Sequence, residues 1–312
     1  MDYVTLGRGG PKVSVIGVGM WQAGGKAWGA DVRDEDCRKA MEHAVELGIN
    51  LVDTAEAYGD GHSESVMAQA IRNVGRDNVF LATKVAGWHL HPDDVKRACA
   101  ASLKRLGVRE IDLYQVHWPD PWSQVPLRET MKTLEALRRW GKIRHIGVSN
   151  FGVRDLEEAR AALSRDDIVS DQVRYNMLQR EVEAEVLPYC EREGIGVLAW
   201  SPIGKGVLSG KYHRGKRPKD RVRADEELFK PANLRAAAPL VQELRKIGKA
   251  HRKTPAQVAL AWLRRHRHVI PIPGVKRSSQ AEENAGGAGW SLDSREIRGL
   301  AGILRRLRID TF

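Results

Sequence analysis

Cysteine is scarce: Cys37, Cys99 and Cys190 are spread along 312 residues. An odd number at such separations argues against a disulfide framework and for a reducing, cytoplasmic setting. No apolar run approaches the ~20 residues that a spanning helix needs, so no membrane helix is expected. The opening stretch "MDYVTLGRGG" has no basic segment followed by an apolar core and does not read as a signal peptide. Histidines and cysteines show no ligand spacing, so no metal is expected. Two phosphate-loop patterns are missing as well. "GVGMWQAGG" departs from G-x-G-x-x-G, and "KGVLSGKY" has Lys205 where a first glycine would stand.

What is there describes an ordinary globular chain, with 42% hydrophobic and 29% charged residues. The net charge of +11 is mostly interleaved with acids, as on solvated helix faces. One stretch differs: "GKYHRGKRPKDRVR", 210–223. No nucleic-acid motif accompanies it, so an anion-binding loop is the better reading.

Eight short apolar runs read as strands: "SVIGVG", "INLVDT", "VFLATK", "IDLYQVH", "RHIGVSN", "IVSDQV", "IGVLAWS" and "HVIPIPG". Amphipathic segments lie between most of them. "RDEDCRKAMEHAVELG" carries an apolar stripe closed by Gly48; "HPDDVKRACAASLKRLG" and "PLRETMKTLEALRRWG" end at Gly107 and Gly141. Eight strand–helix units predict one domain over 1–312, a (β/α)8 barrel of the TIM type. "YVTLGRGGPKVSV" reads as an N-terminal β-hairpin able to cap the barrel's N-terminal end. The aperiodic segment Lys205 to Ala238 is too long for a passive connector and reads as a functional loop.

Barrel sites lie at the C-terminal ends of the strands. Those ends carry Asp53 with Tyr58 five residues on, Lys84, His117, Ser149-Asn150, Gln172 and Trp200-Ser201. Singly, each has an ordinary structural explanation; together on consecutive strands they suggest a site. A phenol with a pKa near ~10 is a poor acid at neutral pH. An ammonium beside it is expected to lower that value. Lys84 supplies the charge, Asp53 holds Lys84, and His117 shares the oxygen that Tyr58 serves. That suits general acid catalysis of carbonyl reduction, or the reverse oxidation, and needs a redox cofactor.

The ordered motifs "DTAEAYG", "ATKV", "LYQVHWP", "IRHIGVSNF", "DQVRYN", "LAWSPIGKGVLSGKY" and "IPIPGVKRSSQAEEN" resemble the aldo-keto reductases over essentially the whole chain. The resemblance implies that Tyr58 is the proton donor, tuned by Lys84 and Asp53, with His117 orienting the carbonyl. It implies an extended nicotinamide cofactor, NADPH in preference to NADH. Ser149, Asn150 and Gln172 would meet the carboxamide, and Trp200 would stack on the ring. Ser201, Ile203, Lys205 and Gly206 would line the pyrophosphate path, under a covering loop. Gly274, Lys276, Arg277, Gln280, Glu283 and Asn284 would surround the adenosine end, with Ser278 or Ser279 capping the following helix. The substrate would be an aldehyde, ketone or sugar held against an aromatic wall of Trp21, Trp28, Trp88 and Trp118, with Gln22, His89 and Asp120 as polar neighbours. Neither nucleic acid nor membrane is an expected partner, and a monomer is the default. The same residues would also serve a slow-turnover, cofactor-binding regulatory subunit.

Overall fold

The computed structural model describes residues 1–310 except Pro121, Ser123 and Arg214. Strands β1 (Tyr3–Thr5) and β2 (Lys12–Ser14) form an antiparallel hairpin. The barrel follows as β3 (Val18–Gly19), β4 (Leu51–Asp53), β5 (Phe80–Val85), β6 (Ile111–Val116), β7 (Ile143–Ser149), β8 (Ile168–Arg174), β9 (Gly196–Trp200) and β10 (Val269–Pro271). These eight strands pair in chain order, all parallel. Gly17 and Gly19 donate backbone N–H bonds to Pro271 and Pro273, joining the first strand to the last. The first barrel strand is shorter than its sequence suggests, because Ser14 is spent in the hairpin opposite Tyr3.

Helices α1 (Asp34–Glu46), α2 (His62–Val74), α3 (Pro92–Leu106), α4 (Leu127–Arg139) and α5 (Val153–Ala162) follow successive strands from β3 to β7. Their sequences explain them. α1 has three acids in its first turn and buries Cys37, Ala40, Met41 and Ala44, one helical stripe. α3 starts on Pro92 and ends at Gly107 in the left-handed region. Then come α6 (Val186–Glu193), α7 (Arg221–Ala224), α8 (Pro231–His251), α9 (Pro255–Leu263), α10 (Ser278–Ala285) and α11 (Ser294–Arg306). The loop expected to run from Lys205 to Ala238 therefore ends at Lys230, where α8 begins. Pro239 inside α8 disguises that helix as aperiodic chain.

The strands alternate. One set of side chains, among them Val52, Leu81 and Val85, belongs to the large apolar cluster that includes the helices. The other set points into the barrel: Leu51, Phe80, Ala82, Leu113, Leu198 and Ile270, joined by Ile272. Leu6 and Val13 of the hairpin belong to this inner cluster, and Arg8 N–H bonds the Gly194 carbonyl just before β9. The hairpin thus plugs the N-terminal end, as expected. Leu6→Ala should leave a cavity there and cost about 2–5 kcal/mol of stability. Urea unfolding would show it as a lower midpoint at constant slope; an unchanged midpoint would mean that the hairpin does not plug the barrel.

Candidate active site

Moving up the barrel, the inward positions turn from apolar to polar. Two residues above Leu51 stands Asp53; above Ala82 is Lys84; above Leu113 is Gln115; above Ser170 is Gln172. All four are buried. Lys84 Nζ donates to Asp53 Oδ1 at 2.6 Å, to the Thr54 carbonyl at 2.8 Å and to Tyr58 Oη at 3.3 Å. That occupies all three ammonium protons. Asp53 Oδ2 accepts from Gln115 Nε2 at 3.1 Å and from Gln172 Nε2 at 2.8 Å. Gln115 is a site residue that the sequence reading missed; its one signal is a polar residue inside the apolar run "IDLYQV".

Tyr58 reaches the group from the loop after β4. Gly59, with φ of 64°, packs on Gly24 so tightly that a side chain there would strike the Gly24 carbonyl. This close approach seats Tyr58 beside Trp21, rings 5.9 Å apart and nearly parallel. On another side the His117 imidazole stands edge-on at 5.5 Å. Tyr58, His117, Trp21, Trp28 and Trp118 line one cavity of about 490 Å³ at the C-terminal end of the barrel. Trp88 does not reach it: the ring is 65% exposed and stands against His89. His89 is engaged with Glu56, and Asp120 holds backbone N–H groups of its own loop, whereas Gln22 lines the cavity.

The electrostatics correct one expectation. Burial raises the Tyr58 phenol above its usual value, and the opposing Lys84 charge does not overcome it. The phenol is therefore protonated at neutral pH. Burial opposes the Lys84 ammonium, but Asp53, Tyr58 and their hydrogen bonds outweigh it and the net shift is upward. His117 is pushed down to about 3, by burial first and by Lys84 second, so its imidazole is neutral.

The same cavity extends along the ends of β7 to β10. Ser149, Asn150, Gln172, Trp200, Ser201, Ile203, Lys205, Gly206, Gly274, Lys276, Gln280 and Glu283 all line it. Asn150, Ser201 and Lys205 are three of the five non-glycine residues at positive φ among those described. Such strained backbone gathers at functional sites. Lys205 pairs with Glu226 and lies 5.5 Å from the centre of the Trp21 ring. Arg223 and Lys276 approach the Trp28 ring at 5.5 and 5.4 Å. Burial and then the nearby Arg223 lower the Lys276 pKa.

Two of the expected residues are not on the cavity. Arg277 begins α10 from an outer groove, where it faces Asp31 at 3.3 Å beside Arg33 and Lys39. Asn284 is buried behind the wall, its amide nitrogen without a partner. Neither Ser278 nor Ser279 caps α10, whose N-cap is Arg277; Gln280 instead accepts the Lys276 backbone N–H at 2.8 Å. Within the basic stretch read as an anion loop, Lys211 and Arg223 do line the cavity, with Tyr212; Arg214 lies outside the described residues.

Residues 15–305 match the model of the aldo/keto reductase family. The chain belongs to that family. Aldo-keto reductase YhdN of Bacillus subtilis is 34% identical, over 97% of this chain and 94% of its own. The structure of the glycerol dehydrogenase AKR11B4 from Gluconobacter oxydans superposes with a TM-score of 0.87 at 30% identity, covering 100% of this chain and 98% of that one. An aldo-keto reductase from Klebsiella pneumoniae, solved with NADPH, gives 0.78 at 29% identity over 100% of both chains.

This aldo/keto reductase is thus an oxidoreductase with a neutral histidine in its cavity. The unfolded chain protonates histidine near pH ~6.5, the folded His117 only near 3. As pH falls, the unfolded state binds the proton first. Stability present above pH ~6.5 is therefore lost on the way to about 3, by up to ~1.4 kcal/mol per pH unit. His117→Gln should flatten this loss between about pH 6.5 and 4.5. Denaturant midpoints that fall in parallel for both proteins would show that the imidazole is not held neutral.

Proposed function

We propose that this aldo/keto reductase uses NADPH to reduce aldehyde or ketone carbonyls, sugars among them, and runs the reverse oxidation, with Tyr58 as its acid and base. The observation that carries this reading is the meeting of Tyr58 and His117 at one wall of a cavity that Trp200 also lines, with the buried Lys84 hydrogen-bonded to Tyr58.

The cavity suits an extended dinucleotide. Lys205, Lys211, Arg223 and Lys276 bring four cations to it, a donor set matched to a diphosphate. Ser149, Asn150 and Gln172 bring polar groups and Trp200 an aromatic face to the other end. The family relative solved with NADPH supports this choice; Lys276 from the cavity and Arg277 from the outer groove would meet a ribose phosphate, which NADH lacks. The nicotinamide, when bound, supplies the two electrons of the reduction.

The chain's own groups handle the proton. Tyr58 is protonated in the resting site and can donate to a carbonyl oxygen held between it and His117. The neutral imidazole can hydrogen-bond that oxygen without competing as an acid. The Lys84 ammonium then faces the phenolate as it forms, and Asp53 keeps Lys84 charged and in place. Trp21 and Trp118 form the wall against which an apolar part of the substrate rests.

Tyr58→Phe removes the proton and little else. Its kcat/KM on a panel of aldehydes, ketones and aldoses should fall by at least ~100-fold, with NADPH still bound in fluorescence titration. Undiminished turnover would remove Tyr58 from the mechanism. Arg277→Ala should weaken NADPH much more than NADH, measured as dissociation constants; equal losses would show that Arg277 does not read the phosphate.

A further inference from the structure

We propose that Asn150 is a positioning residue: one side chain that fixes the Trp200 ring and the His117 segment relative to each other. This rests on the reading above, in which Trp200 and His117 flank the reacting centre. The Asn150 Oδ1 accepts the Trp200 indole N–H at 3.0 Å. Its Nδ2 donates to the His117 backbone carbonyl and to Ser149 Oγ, both at 3.0 Å. Ser149 Oγ in turn donates to the Gln172 carbonyl at 2.7 Å, as does the Asn150 backbone N–H at 2.9 Å. An indole nitrogen only donates and a carbonyl only accepts, so the partners settle which way the amide points.

The ends of β6, β7, β8 and β9 therefore meet at Asn150, the β8 end through the Asn150 backbone N–H and the others through its side chain or its place in the chain. Both side-chain amide protons are spent on the protein. Its backbone has φ of 63°, a conformation that asparagine tolerates better than most residues. No other side chain of the cavity holds a hydrogen bond to the Trp200 indole among the described residues. Without Asn150 the ring keeps its strand but loses the contact that sets its tilt.

Three substitutions separate the arms. Asn150→Gly suits the positive φ and removes the whole side chain. Trp200→Phe removes the indole N–H and keeps an aromatic ring. Asn150→Asp keeps an acceptor for the indole and removes the donor to His117. The first readout uses the cofactor-free protein labelled with 15N-tryptophan, the Trp200 indole signal being assigned by its loss in Trp200→Phe. Its proton should exchange with solvent about tenfold faster in Asn150→Gly than in wild type, and not in Asn150→Asp. The second readout is turnover with binding. Asn150→Gly and Trp200→Phe should each lower kcat about tenfold, and the double variant should be no worse than Asn150→Gly. Trp200→Phe keeps an aromatic face for NADP+, so its loss should lie more in kcat than in the NADP+ dissociation constant. Unchanged indole exchange in Asn150→Gly, or single losses that multiply in the double variant, would overturn the proposal. Failure of the wild-type protein to bind NADP+ would instead overturn the functional reading, with the exchange experiment still deciding whether Asn150 holds the ring.

Discussion

The site depends on a buried ion pair. Lys84 and Asp53 are 0% and 2% exposed in their side chains, and withdrawing two such charges from water costs several kcal/mol for each ion. Mutual attraction alone does not offset that. What makes the pair tenable is complete hydrogen bonding: three acceptors for the ammonium, and for the carboxylate one ammonium and two amides. Removing either partner leaves a lone charge in a dry place, so each group constrains the other. Gln115 and Gln172 are as necessary to this arrangement as the charges are.

The barrel provides the dry place. Parallel strands send alternate residues inward, and their register sets those residues in layers. Below the charged layer lie Leu51, Phe80, Ala82, Leu113 and Leu198, closed from beneath by Leu6 and Val13 of the hairpin. Water has no route to Lys84 from that side. The hairpin, remote from the chemistry, thus acts on it by holding the dielectric low. The register also brings Lys84 level with Gln115, and Ser149 level with Gln172, so groups distant in sequence become neighbours.

Much of this was legible in the sequence, for a physical reason. Strand ends in a barrel are neighbours by construction, so a list of terminal residues is already a partial map of the site. Asp53, Lys84, His117, Asn150 and Trp200 were readable in that way. Groups that arrive by other routes were not. Gln115 sits inside an apolar run, and inward from outward cannot be told there without the register. Arg223 comes from a short helix in a segment without periodicity, and only the folded loop brings it to Trp28. The opposite error has the same origin. Trp88 stands beside motif residues in sequence, yet its ring turns to solvent. Adjacency along a loop does not carry the direction of a side chain.

The sign of the Tyr58 shift changes what Lys84 is for. A lysine that lowered the resting phenol far enough would make it lose its proton, and a phenolate has none to give to a carbonyl. Burial prevents this by raising the phenol, against the ammonium. The ammonium's attraction is small while the phenol is neutral and large once charge develops on Oη, 3.3 Å away. On the proposed reading, Lys84 therefore acts mainly in the transition state, and that is where an interaction must be stronger in order to raise a rate. Asp53 limits the effect by neutralising part of the lysine's field, but it also prevents Lys84 from losing its own proton in a site that disfavours charge. The neutral His117 completes the balance. A second cation beside Tyr58 would drive the phenol toward ionisation, whereas on that reading a neutral imidazole leaves the proton on Tyr58 until a substrate oxygen takes it.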